Sequence, residues 1–261
     1  MKRLSIPLIT LFVVLCSFAI AIAFTGTYTP GTGINGTPHD LRQGQPGGNY
    51  PAQPPDYLNR ICVWCHAPHH AYRPNGSGQG TGPEAPADYT YLPLWNHAVT
   101  TQIFTPYTPG SDQPISGSKH PQSVDYFDNV GSVSLLCLSC HDGTIAVNEY
   151  GHAPQDSRSR SSGGSAIADQ YKIGADGYLV NHHPIGFDYD SVAAEDTEIY
   201  DSSTAQFGTT PVSNYLWNGK MECSTCHAVH NTGNSGEKFL YVSDQNSNLC
   251  LSCHAKGNKT P

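Results

Sequence analysis

Hydrophobic positions are spread unevenly along this chain. Leu4 to Ile22 is almost continuously apolar, broken mainly by Ser5, Pro7, Thr10 and Ser17, and it follows the basic start Met1-Lys2-Arg3. Ala21-Ile22-Ala23 closes the run with the small-x-small pattern of a cleavage site. Residues 1–23 therefore read as a secretory signal peptide, with Phe24 as the first residue of the exported chain. Cys16 raises lipoprotein processing as an alternative, but Leu15 before it is too large for that signal, and Cys16 reads as an apolar signal residue. No later stretch could span a bilayer, so no membrane anchor is expected. From residue 24 onward the spacers are rich in Gly and Pro. Gly76-Ser77-Gly78-Gln79-Gly80-Thr81-Gly82-Pro83 cannot hold regular structure, and 151–168, which contains Ser157-Arg158-Ser159-Arg160-Ser161-Ser162-Gly163-Gly164, reads as an exposed loop. The expected fold class is mostly irregular coil with little β structure and short α-helices confined to the motifs described next.

Those motifs are four copies of C-x-x-C-H: Cys62-Val63-Trp64-Cys65-His66, Cys137-Leu138-Ser139-Cys140-His141, Cys223-Ser224-Thr225-Cys226-His227 and Cys250-Leu251-Ser252-Cys253-His254. They consume eight of nine cysteines, Cys16 being the ninth. Two cysteines three apart lie on one helical turn, so both sulfurs can reach the two vinyl groups on one porphyrin edge. The histidine, four residues after the first cysteine, shares that face and is aimed at the iron as the proximal ligand. A lone C-x-x-C would equally suggest a disulfide or a zinc site. Histidine after all four pairs points instead to four c-type haems.

Composition changes the picture in two ways. Residues 24–261 number 238, roughly 60 per haem, too few to build a separate apolar core around each. A single tetrahaem domain with a haem-stack core is expected. The chain has 26 Gly, 20 Pro and only 13% charged residues, yet 15 Tyr and 3 Trp supply large packing surfaces and argue against disorder. Without Lys2 and Arg3, 11 basic residues face 21 acidic ones, a balance of −10 that speaks against nucleic acid as a partner.

The motifs alternate. The first and third read C-x-x-C-H-A-x-H, ending at His69 and His230; the second and fourth share Leu-Cys-Leu-Ser-Cys-His. This A-B-A-B order suggests a duplicated two-haem unit. Seventy residues separate His66 from Cys137 but only 22 separate His227 from Cys250, so the last two haems must lie close together. The distal ligand decides what each iron does. Methionine is nearly absent: Met1 belongs to the signal, and Met221, two residues before Cys223, is badly placed for that iron. Nine histidines remain beyond the proximal four, so bis-histidine, six-coordinate irons are expected, with no open site for catalysis. His69 and His230 cannot fold back onto their own motif's iron, but each can reach a haem packed alongside. In His182-His183-Pro184 the two rings point opposite ways, with His183 preferred as ligand. His39 lies on a Gly/Pro-rich N-terminal arm that can reach the first haem or a neighbouring molecule. His97, His120 and His152 are the reserves.

The C-x-x-C-H-x-P-H word, Pro93-Leu94-Trp95-Asn96, Leu138-Ser139-Cys140-His141-Asp142-Gly143, His183-Pro184-Ile185-Gly186-Phe187 and His39-Asp40-Leu41 together resemble the multihaem cytochromes with doubled C-x-x-C-H motifs. Within them the chain is most similar to the tetrahaem extracellular cytochrome nanowires of metal-reducing bacteria and some archaea, over nearly all of 35–261. The resemblance implies a loop-rich subunit that polymerises head to tail with copies of itself and exports electrons outside the cell to redox partners or extracellular acceptors. It implies a histidine donated between subunits, with His39 mapped onto that role, and it favours His69, His183 and His230 as distal ligands. A soluble monomeric periplasmic shuttle is the alternative, and an enzyme the least favoured reading: none of the motifs carries the lysine variant of cytochrome c nitrite reductases.

Overall fold

The computed structural model describes residues 28–29, 31–42, 47, 56, 58–78, 82–107, 130–151, 166–232 and 237–256. The signal peptide, His120, His152 and most of 151–168 lie outside these residues. Among the described residues the chain is mostly turn and irregular loop, with four short helices and one two-stranded hairpin. The helices are α1 (Ser132–His141), α2 (Tyr189–Glu195), α3 (Cys223–Cys226) and α4 (Asn248–Leu251); β1 (Gln206–Phe207) pairs antiparallel with β2 (Thr210–Pro211). Three of the motifs sit on helices, as expected. The first does not: Cys62–His66 makes a single turn, closed by His66 N–H on the Cys62 carbonyl at 2.8 Å. Pro68 and the strand-like contact of His66 with Trp95 prevent the turn from propagating.

α1 is the longest helix and is buried on several sides through Ser132, Ser134, Leu135, Leu136, Leu138 and Ser139. Serine is a mediocre helix former, yet here each buried hydroxyl satisfies a loop backbone group. Ser132 accepts from Tyr91 N–H (2.8 Å), Ser139 from Thr100 N–H (3.1 Å) and Ser134 from Cys223 N–H (3.0 Å). Loops without a ladder must place their N–H groups somewhere, and α1 supplies the acceptors. The helix stops at Asp142, whose carboxylate accepts from Thr144, followed by Gly143 at φ +76°. α2 starts conventionally, with Asp188 accepting Ser191 N–H at 2.9 Å.

The apolar core is divided into three small clusters, each abutting motif cysteines. Val63, Trp64 and Tyr150 pack by Cys65. Tyr89, Trp95, Leu135, Leu138 and Leu179 form the second cluster, and Phe187, Tyr189, Val192, Phe207, Val212 and Met221 pack with Cys253. Met221 is thus a core residue. No helix among the described residues is long and apolar enough to cross a membrane.

Candidate haem-binding site

All eight motif cysteines are free of disulfides. Their neighbours trace a line through the molecule. Cys65 of the first motif lies close to Cys140 of the second; Cys137 of the second lies beside Cys223 of the third; Cys226 of the third motif neighbours Cys250 and Cys253 of the fourth. Burial pushes the Cys65, Cys140 and Cys226 thiols up to about 12, reinforced at Cys65 and Cys226 by neighbouring cysteines and at Cys140 by Asp142.

Each proximal imidazole follows a main-chain turn that fixes its position. His66, His227 and His254 N–H groups bond the carbonyl of their first cysteine at 2.8, 3.1 and 2.9 Å. The next residue then joins an opposing strand segment: Ala67 N–H to Leu94 O (3.0 Å), Ala228 to Phe239 O (2.7 Å), Ala255 to Glu198 O (2.7 Å). The second cysteine's carbonyl receives a return bond from Asn96, Tyr241 and Tyr200 respectively. Three short bridges, His66 with Trp95, His227 with Leu240 and His254 with Ile199, are therefore one repeated device.

At His66 and His227 the same opposing segments orient the ring, and a separate carbonyl does so for His141. His66 Nδ1 meets the Pro93 carbonyl at 2.6 Å, His141 Nδ1 the Tyr171 carbonyl at 3.0 Å, and His227 Nδ1 the Lys238 carbonyl at 2.7 Å. A carbonyl only accepts, so the proton sits on Nδ1 and Nε2 keeps its lone pair for a metal. Tethering the far nitrogen in this way fixes tautomer and ring direction in metal sites. These carbonyls were invisible to sequence reasoning because any residue has one. The one available sign is conformational: Leu94 and Phe239, directly after Pro93 and Lys238, have φ of +55° and +59°, and Lys238 itself +60°. Left-handed backbone in bulky residues turns the preceding carbonyl toward the histidine.

Three histidine pairs face one another. The ring centres of His66 and His230 are 6.0 Å apart, those of His141 and His39 6.2 Å, and those of His254 and His183 6.4 Å. With metal–nitrogen bonds of about 2 Å, imidazoles on opposite sides of one ion have ring centres roughly 6 Å apart. Free thiol pairs, tethered Nδ1 atoms and these separations together fit a haem at each of the three positions. His39 is held down to about 3, first by burial and then by His141 and His227, despite a hydrogen bond to the Val229 backbone. Burial, then the facing His66, lowers His230; burial, then His183, lowers His254; burial lowers His227. Neutral imidazole is the form that ligates.

His39, which the family resemblance maps onto a contact between subunits, is placed within this chain beside His141. It lies against His141 of its own chain because the N-terminal segment is docked: Tyr28 stacks on Phe239 (4.9 Å), Phe239 packs on His39 (4.7 Å), and Asn231 Nδ2 donates to Thr29 and Gly33 carbonyls at 2.9 and 3.0 Å. The arm has no core of its own, so it uses that of the third motif. His97 is also not placed as a ligand. It is 1% exposed, with Nδ1 2.7 Å from the Ala98 carbonyl and Nε2 3.2 Å from the Ala146 carbonyl. His69 is exposed, and His227 faces no second histidine ring among the described residues.

Cysteine pairs with free thiols, each followed by a histidine and three of those histidines tethered through Nδ1 to a backbone carbonyl, are the attachment pattern of c-type haem, a cofactor of exported cytochromes. Residues 218–259, which hold the third and fourth motifs, match the family described as doubled CXXCH motif. No curated protein matches the chain.

Proposed function

We propose that the protein carries four haems c and conducts electrons along them, as the subunit of an extracellular filament. The observation that carries the reading is the combination of three histidine pairs at 6.0–6.4 Å with cysteine neighbours linking motif one to two, two to three and three to four. Haem iron supplies a one-electron couple when bound. The chain's residues do the rest. His66 and His230, His141 and His39, and His254 and His183 hold three irons from both sides, which leaves no face for a substrate. The cysteines attach consecutive haems at adjoining points, so that neighbouring groups lie close. Trp64, Leu138, Tyr189 and Phe187 exclude water around the attachment points.

His227 binds the fourth iron from one side. His69 is exposed, and His227, although packed enough for burial to lower its pKa, keeps surface open to solvent, which suits closure of that iron by a histidine crossing between copies. In this reading His69, rather than His39, is the inter-subunit donor. Exposed Leu58, Leu94, Ile103, Tyr178 and Val229 offer apolar surface for a head-to-tail contact, which propagates when the rotation does not close. Negative-stain imaging of native material tests the filament: discrete single particles would leave the monomeric shuttle as the function. His69→Ala should load four haems yet assemble poorly, with one iron open to carbon monoxide, whereas normal filaments from that variant would remove His69 from the role.

A further inference from the structure

One buried acid has no part in holding the haems. Glu222, directly before Cys223, is 1% exposed and is wedged between the third motif and the start of α1. Ser134, itself 0% exposed, donates its hydroxyl proton to Glu222 Oε2 while accepting from Cys223 N–H at 3.0 Å. Glu222 N–H is occupied by Thr225 Oγ1 at 2.9 Å. Oε1 has no hydrogen-bond partner among the described residues. It lies against Gly131, where a Cβ would fall 1.8 Å from it, so the glycine is what leaves room for this oxygen. An ionised carboxylate with one oxygen buried and unsatisfied is unfavourable, and a proton on Oε1 removes the buried charge, which is the larger part of that cost.

The position gives the proton a purpose. Glu222 directly precedes Cys223, whose N–H bonds Ser134 of α1, and Cys223 lies beside Cys137 on that same helix. The acid therefore sits where the second and third haems are attached. An electron arriving on either haem adds negative charge beside a carboxyl group shielded from water, and in a low-dielectric interior such charges interact strongly. The groups facing Glu222 are few. Lys220 on its own segment is the nearby cation; α1 contributes Ser134 and Cys137, and its remaining titratable side chains are Cys140 and His141.

Resting on the reading that motifs two and three carry redox-active haems, we propose that Glu222 is a proton-binding site coupled to their reduction. When a one-electron donor reduces this pair, one proton from solvent binds Glu222 Oε1; on reoxidation the electron leaves to the acceptor and the proton returns to water. Burial already raises the carboxyl above its ordinary value, against the opposing pull of Ser134, Lys220 and the Gly131 backbone.

The test is a redox titration of the haem-loaded protein at a series of pH values, with infrared difference spectra of its reduced and oxidised states. In the wild type the midpoint of one haem pair should fall as pH rises across a window, and reduction should produce a protonated-carboxyl C=O band. Glu222→Gln should lose the Glu222 share of both, giving a smaller pH slope and a weaker band, while keeping every haem. Haem carboxylates titrate in either protein, so the difference between the two is the readout. Ser134→Ala removes a donor to the carboxylate and should move the window to higher pH. A wild-type pH slope and band in Glu222→Gln overturn the proposal. If that variant does not load haem, an unshifted window in Ser134→Ala overturns it. Absence of haem from motifs two and three would instead overturn the functional reading itself.

Discussion

At the scale of single residues, the chemistry depends on where each imidazole's second nitrogen goes. His66, His141 and His227 give Nδ1 to a carbonyl and leave Nε2 for metal, whereas both nitrogens of His97 lie against carbonyls. The substitutions should therefore separate. His230→Ala, His39→Ala and His183→Ala should each open one iron, seen as a high-spin fraction that binds carbon monoxide, with the haem retained by its thioethers. His97→Ala should leave all irons low-spin but lower stability by about 1–3 kcal/mol, because buried carbonyls lose their partner; thermal unfolding followed at the haem band distinguishes the two behaviours. The left-handed residues divide in the same way. Leu94 is 54% exposed, so Leu94→Gly mainly relieves backbone strain and should raise stability by about 1 kcal/mol. Phe239 has the same φ but is 6% exposed and stacks on Tyr28 and His39. There the lost packing, about 3 kcal/mol, outweighs the relieved strain, and Phe239→Gly should destabilise the protein and disturb His39.

At the scale of elements, the loops are held by polar anchors. The turn carrying His39 is organised by Asp40, which accepts Gly36 N–H at 2.9 Å and Arg42 Nε at 2.8 Å; Asp56 does the same for Arg60 and also accepts the Tyr150 hydroxyl at 3.0 Å. Burial works to raise both carboxyls, but the arginines and backbone N–H groups overcome it and hold both below the ordinary value. A depressed carboxyl contributes stability that is present above its unfolded value of about 3.9 and is lost as pH falls through the folded one. The His39 turn should thus loosen below about pH 4, checked by proteolysis of the N-terminal segment and by the spectrum of the iron on His141. Asp40→Asn should show the same loosening at neutral pH. Ser139→Ala should cost about 1–2 kcal/mol, since Thr100 N–H then loses its acceptor inside the core.

At the scale of the whole molecule, what matters is the order of the motifs in space. Cysteine neighbours run from motif one to two, two to three and three to four, so the attachment cysteines of consecutive motifs adjoin although 70 residues separate the first two motifs and 22 the last two. Intact mass should show four haems on the chain. Stepwise reduction should show interacting rather than independent centres, with the strongest interaction between the second and third, whose cysteines Cys137 and Cys223 lie side by side.

The covalent chemistry is determined by sequence alone, because C-x-x-C-H places two thiols and one imidazole on a single turn whatever surrounds it. The coil-dominated fold follows too from the Gly- and Pro-rich spacers, which cannot sustain a ladder. The pairing of histidines does not follow. His230 meets His66 across 164 positions and His39 meets His141 across 102, and no local pattern encodes which distant ring will face an iron. The sequence suggested that the His39 arm could leave its own subunit. In the folded chain the arm lies against Phe239 and Asn231, because an arm with no core of its own buries its apolar groups on a nearby surface that has one, and no sequence pattern announces that docking. Main-chain carbonyls settle the ring orientations, and since every residue carries one, only the folded backbone could show that Pro93, Tyr171 and Lys238 are the ones in place.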